Sequence, residues 1–223
     1  MNVWAIIPVK PLSQAKSRLA TVLTPGEREH LAAGLLERTI RLLLSVPEIR
    51  GVLVISRDAD VLAVAQKWGA QAIQEIGTPE LNSALRRATQ TLTAWKGDAV
   101  LVVPEDIPLL AEDDVRQVLS LAREANSVVI APDRREEGTN LLLVRPPGLI
   151  PYGFGEHSFS EHQRLAREAH AALSIYRSER TALDLDIPDD LWRYRELAKA
   201  LGVPMINAVE FERSLLARKS RPT

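Results

Sequence analysis

Near the start of the chain, Val3-Trp4-Ala5-Ile6-Ile7-Pro8-Val9 forms an almost unbroken apolar run, and it opens into a proline-marked loop carrying Lys10, Lys16 and Arg18. A run that is apolar on both faces reads as a strand at the centre of a parallel sheet, covered by helices on either side. In an open α/β sheet, ligands sit beyond the carboxyl end of such a strand. Three cations there suit an anionic ligand such as a nucleoside triphosphate. Spacing alone also leaves open a plain solvated loop, because surface lysines are common.

The rest of the chain repeats the same grammar. Thr24-Pro25-Gly26-Glu27 places an N-cap, a proline at N1 and a glutamate at N3, a capping box that opens a helix to about Leu44 with Leu31, Leu35, Ile40, Leu42 and Leu43 among its buried residues. Gly51 to Ser56 is a second strand, Asp60 caps a short helix ending at Gly69, and Ala70 to Ile76 reads as a third strand. A helix to about Trp95 follows Leu81-Asn82-Ser83. Asn82 is either its N-cap or an amide presented to a ligand at the sheet edge. The strand Asp98 to Val103 ends in Pro104-Glu105-Asp106-Ile107-Pro108, which puts carboxylates beyond a parallel strand's carboxyl end, where Asp106 suits a metal ion.

A helix over 112–125, a strand over 127–131 and a strand over 139–144 come next, the last broken by Pro146-Pro147-Gly148. Gly153-Phe154-Gly155 then precedes a second capping box, Ser158 to Glu161, and a helix to about Ala172. A glycine-bearing loop feeding a helix start suits a phosphate or carboxylate, and an ordinary helix start is the alternative. After a strand over 173–177, Leu183-Asp184-Leu185-Asp186-Ile187-Pro188 is extended, so that Asp184 and Asp186 share one face and could share a divalent ion with Asp106. Asp189 and Asp190 are explained by capping the helix over 191–201. The expected fold class is α/β, a doubly wound, mostly parallel sheet. Residues 1–206 read as one domain, and 207–223 as a C-terminal helix and tail.

Composition narrows the function classes. The 28 basic and 29 acidic residues leave a net charge of −1, so no global field attracts nucleic acid or an anionic membrane. The absence of cysteine excludes disulfides and thiolate catalysis. The four histidines, His30, His157, His162 and His170, match no zinc spacing, which favours a hard cation on carboxylates. No apolar run approaches a membrane span and no secretory segment opens the chain, so a cytoplasmic protein is expected. No G-x-G-x-x-G follows the first strand and no P-loop pattern occurs, which disfavours a dehydrogenase or a P-loop NTPase.

Six blocks in order carry a more specific signal: IPVKPLSQAKSRL (Ile7 to Leu19), LNSAL (Leu81 to Leu85), PEDIPLL (Pro104 to Leu110), DRREEGTNLLL (Asp133 to Leu143), FGEHSFSEH (Phe154 to His162) and LDLDIPDDL (Leu183 to Leu191). Together they resemble the guanylyltransferases of deazaflavin coenzyme biosynthesis, which activate 2-phospho-L-lactate or phosphoenolpyruvate with GTP. The resemblance implies a nucleotidyltransferase fold related to glycosyltransferase-A-like sheets, with GTP and a small phosphorylated acid as partners and magnesium as cofactor. It places Pro8, Lys10, Lys16, Arg18, Leu81 and Asn82 at the nucleotide, with Lys10, Lys16, Arg18 and Asp106 catalytic. Thr139, Gly155 and Ser158 would bind the acceptor, and Asp106, Asp184 and Asp186 the metal. Glu105 departs from the small residue expected in its block. A phosphate nucleophile needs no strong base, so no histidine is assigned to catalysis. Another phosphorylated acceptor, such as a sugar phosphate or 3-phosphoglycerate, and a non-catalytic nucleotide-binding module remain as alternatives, and a homodimer is compatible with the sequence.

Overall fold

A computed structural model describes residues 1–77 and 80–206. The expectation of a helix and tail over 207–223 lies outside the described residues. Seven strands form one sheet in the order β3-β2-β1-β4-β6-β5-β7, with β1 Val3–Val9, β2 Ile49–Ser56, β3 Gln71–Gln74, β4 Ala99–Val102, β5 Ser127–Pro132, β6 Thr139–Arg145 and β7 Ala172–Ile175. The strand β1 is central and pairs in parallel with β2 and β4. Among the described strands only β6 runs against its neighbours, antiparallel to both β4 and β5.

Side-chain alternation divides β1 between two layers. Val3, Ala5, Ile7 and Val9 pack with Leu36, Ile40 and Leu43 of α1 (Pro25–Ser45), with Val61 and Ala65 of α2 (Ala59–Lys67), and with Val115 and Val118 of α4 (Glu112–Leu121). Ile6 packs on the other face with Leu85 and Leu92 of α3 (Leu81–Ala94) and with Phe159 and Ala166 of α5 (Ser158–Glu168). Helices on both faces are what a two-sided apolar strand requires. The Trp4 ring lies across Gly51 of the neighbouring strand, where an added Cβ would meet it at 2.5 Å.

A third apolar cluster lies beyond the carboxyl end of the sheet. Leu19 and Leu23 from the first loop, Leu31 and Leu35 of α1, and Leu109 after β4 join Leu183 and Leu185 and, from α7 (Pro188–Leu201), Leu191 and Tyr194. It fastens the first loop, the β4 loop and the segment before α7 together, after α6 (Glu179–Ala182) has returned the chain to this edge.

The capping box at Thr24 forms as expected, with Glu27 N–H donating to Thr24 Oγ1 and Thr24 N–H to the Glu27 carboxylate. Three other start signals differ. The helix α2 is capped by Asp58, whose Oδ1 accepts from Asp60 N–H at 2.9 Å, because Asp58 is the residue still extended there. Glu80, not Asn82, caps α3, accepting from the N–H groups of Asn82 and Ser83. The N-cap of α5 is His157 in a left-handed conformation (φ 57°), and Ser158 is already the buried first residue of the helix.

Candidate active site

The order of strands reverses across β1, so the crevice between the carboxyl ends of β1 and β4 is the switch point at which α/β sheets bind ligands. Lys16 enters this crevice from the first loop and Asp106 from the β4 loop, and Lys16 Nζ donates to Asp106 Oδ2 at 2.9 Å. Lys16 is 9% exposed and adopts a left-handed backbone conformation (φ 52°, ψ 36°), uncommon for a residue with a side chain and held here between two short 3-10 turns. Burial by itself would lower the Lys16 ammonium. The charges of Asp106 and Glu105 and the hydrogen bond to Asp106 outweigh it and hold the group above the usual lysine range. A solvated loop is therefore not what the first cationic stretch forms at Lys16. The other two cations are exposed: Lys10 directly follows β1, and Arg18 NH1 bonds Asp186 Oδ2 at 2.9 Å. Pro8 is half-buried within β1.

The acidic segment before α7 is arranged as its period-two pattern predicts. Leu183 and Leu185 are buried in the third cluster while Asp184 and Asp186 are half-buried on the opposite face. Leu185 N–H donates to the Asp106 carbonyl at 3.0 Å, so the two acidic segments are joined through the backbone. The helix α7 begins at Pro188, ahead of the expected 191, so Asp190 is its third residue, and it accepts from the N–H groups of Asp186 and the N-cap Ile187. Burial first, then the charges of Asp106 and Asp186, push the Asp184 carboxyl up to about 6. Burial and the charge of Asp106 likewise push Glu105 up to about 7, with Lys16 pulling it back. Negative charge is thus crowded around Asp106, and the oxygen donors are of the kind a hard divalent cation takes. Lys16 and Arg18 neutralise two of these carboxylates, and among the described residues no three acidic or histidine side chains converge as a ready metal site.

A second group of predicted residues gathers on the other side of β4. Leu142 of β6 pairs with Val102 of β4, so Thr139, three residues earlier on the antiparallel strand, reaches beyond the carboxyl end of β4. Thr139 is buried and its Oγ1 lies 2.9 Å from His162 Nδ1. Ser158 N–H donates to the Gly155 carbonyl at 3.3 Å, and Gly155 is exposed at φ 144°, a backbone angle that a side chain rarely tolerates. Asn82, half-buried near the start of α3, neither caps that helix nor offers its amide to solvent: Phe154 N–H donates to Asn82 Oδ1 at 2.9 Å and Asn82 Nδ2 donates to Phe154 O at 3.0 Å. Leu81 beside it is 43% exposed. The structure therefore brings Lys16, Asp106, Arg18, Asp184 and Asp186 to one loop cluster, and links Asn82 through residues 153–155 to Ser158 and Thr139. His162, which joins Thr139 to that loop, carried no signal beyond its place one helical turn after Ser158.

The sequence profile of the family described as "Guanylyl transferase CofC like" matches residues 3–195. The phosphoenolpyruvate guanylyltransferase of Rubrobacter xylanophilus is 39% identical over 193 residues, covering 86% of this chain and 93% of that protein. The 2-phospho-L-lactate guanylyltransferase of Methanothermobacter thermautotrophicus is 40% identical over 191 residues, covering 86% and 83%. Among solved structures, a nucleotidyl transferase from the same archaeon superposes with a TM-score of 0.67 at 19% identity, over 88% of this chain and 97% of that one, a likeness of fold. With the profile spanning nearly all of the described sheet and its loops, the chain belongs to the CofC-like guanylyl transferase family.

Proposed function

We propose that this protein transfers the guanylyl group of GTP to the phosphate of a small phosphorylated three-carbon acid, phosphoenolpyruvate or 2-phospho-L-lactate, releasing pyrophosphate, as a step in deazaflavin coenzyme biosynthesis. The observation that carries the reading is the buried Lys16–Asp106 pair in the switch-point crevice, in a chain whose relatives bear those two activities in their names. An acceptor phosphate oxygen attacks the α-phosphorus in line, a new P–O bond forms, and the bond to the leaving pyrophosphate breaks. With a second pKa near ~6, a phosphate monoester is already mostly ionised at neutral pH, so no general base is required. The obstacle is bringing two polyanions together, and fixed positive charge lowers it. Lys16, held in its cation form, with Lys10 and Arg18 at the mouth of the loop, supplies that charge. Asp106, Asp184 and Asp186 would hold magnesium, which when bound contributes further neutralisation of phosphate oxygens. Thr139, Ser158 and the Gly155 backbone would receive the acid, and Pro8, Leu81 and Asn82 would border the nucleotide.

The experiment is pyrophosphate release from GTP with each acid in parallel, alongside 3-phosphoglycerate and a sugar phosphate. Release with one or both three-carbon acids is expected. Release only with another acceptor would move the substrate class, and none with any acceptor would make this a nucleotide-binding module.

A further inference from the structure

One buried residue joins Thr139, among the predicted acceptor groups, to the loop that carries Gly155. His162 is fully buried on α5, with Nδ1 2.9 Å from Thr139 Oγ1, and its Nε2 accepts the Gly153 N–H at 3.1 Å. The Phe154 ring packs against the imidazole edge to face, with centroids 4.7 Å apart. A peptide N–H can only donate, so Nε2 is the bare nitrogen and the single proton of the neutral ring sits on Nδ1. Nδ1–H therefore donates to Thr139 Oγ1. The threonine's own hydroxyl proton is then left for another acceptor. Burial pushes the His162 pKa down to about 4, which keeps the ring neutral near pH ~7 and so keeps Nε2 able to accept.

We propose that His162 is a positioning residue for the acceptor: its Nδ1–H donation commits the Thr139 hydroxyl to donate to an anionic oxygen of the phosphorylated acid, and its Nε2 holds the Gly153–Gly155 loop against β6. This rests on the assignment of Thr139, Gly155 and Ser158 to the acceptor. A histidine serving only to fill the core would make the same contacts without ordering the threonine's proton for substrate, and a double-mutant cycle separates the two roles.

The cycle is read as kcat/KM for phosphoenolpyruvate and for 2-phospho-L-lactate at saturating GTP, with the KM for GTP measured beside it. His162→Gln puts an amide oxygen near the place of Nε2 and preserves the bond from Gly153 while removing the donor to Thr139. His162→Asn puts an amide N–H near the place of Nδ1 and preserves that donor. We expect His162→Gln to lower acceptor kcat/KM by about tenfold with the KM for GTP within about twofold, and His162→Asn to recover most of the loss. In a Thr139→Val background His162→Gln should have no further effect, because both remove the same hydrogen bond to substrate. Multiplicative losses of His162→Gln and Thr139→Val would reduce His162 to a packing residue. If Thr139→Val alone leaves acceptor kinetics unchanged, the acceptor site itself is misplaced and this inference falls with it. If Thr139→Val is impaired and His162→Gln is not, only the role of His162 is overturned. Should His162→Gln fail to fold in a melting experiment, NMR of the imidazole nitrogens in the unaltered protein still decides: a proton on Nε2 in place of Nδ1 overturns the proposal.

Discussion

The side-chain amide of Asn82 and the peptide of Phe154 exchange two hydrogen bonds, at 2.9 and 3.0 Å, across 72 positions of sequence. The amide of α3 thereby occupies both polar groups of one residue in the loop leading to α5. Asn82→Asp keeps an acceptor for Phe154 N–H but sets a carboxylate against Phe154 O, and Asn82→Ala removes both bonds. Each variant should raise the KM for the acid at least as much as the KM for GTP, by roughly tenfold for the aspartate. Steady-state kinetics with each substrate varied in turn checks this, and a change confined to GTP would return Asn82 to the nucleotide alone.

Lys16 and Asp106 hold each other in a crevice that water reaches poorly. Lys16→Met should lower kcat by about 10²–10³-fold if the ammonium meets phosphate charge mainly in the transition state. An increase in the KM for GTP with kcat intact would instead mean equal contact in ground and transition states. Asp106→Asn should reduce turnover by roughly two orders of magnitude or more, and added chelator should do the same to the unaltered protein. Activity indifferent to chelator would falsify the metal assignment while leaving the ion pair standing.

His162 should also register in stability against pH. Its folded pKa of about 4 lies below the usual 6.5, so the unfolded chain takes up the proton first. The stabilisation is fully present above about pH 6.5 and is lost as pH falls toward about 4, a change on the order of 3 kcal/mol. Glu161, whose charge raises the His162 pKa, works against this depression. Urea titrations of the unaltered protein and His162→Gln at several pH values isolate the effect, and parallel stability curves over that window would rule it out.

Asp114 is an acidic residue placed away from the candidate site, in a buried structural network. It is fully buried at the start of α4 and accepts from Ala111 N–H at 3.0 Å, Tyr176 OH at 2.7 Å and Arg180 Nε and NH2 at 2.7 and 3.0 Å. Asp114→Ala should destabilise by at least about 1.5–3 kcal/mol, the value of a charged hydrogen bond, with kcat for the remaining folded protein close to normal. A denaturation midpoint equal to that of the unaltered chain would contradict it.

Period and caps made the local elements legible. The run at β1, the capping box at Thr24 and the alternation of Leu183 and Leu185 with Asp184 and Asp186 each depend on neighbours in sequence, and each is found where those neighbours direct. Even so, caps at α2 and α3 were displaced by two residues, since Asp58 competes with Asp60 and Glu80 with Asn82, and only backbone conformation settles which is extended. Pairings across the sheet were not legible. Nothing local to Asn82 points to Phe154, nor anything local to His162 to Thr139, because such contacts exist only once β6 has entered between β4 and β5. The Lys16–Asp106 pair lay between these cases: each residue was expected beyond the carboxyl end of its strand, but their meeting required the strand order, which places β1 beside β4.

The reversal of β6 has a consequence for how the acid could be exchanged for another. Because that strand runs against β4, the residue it offers at the ligand edge is its first, Thr139, delivered by the six-residue turn Asp133-Arg134-Arg135-Glu136-Glu137-Gly138. The groups assigned to GTP phosphates and metal hang from other connections, after β1, after β4 and before α7. With Thr139 receiving the acid as proposed, lengthening or re-sequencing that one exposed hairpin should alter acid choice while sparing the proposed triphosphate cradle, making it the handle for grafting new acceptors onto the scaffold.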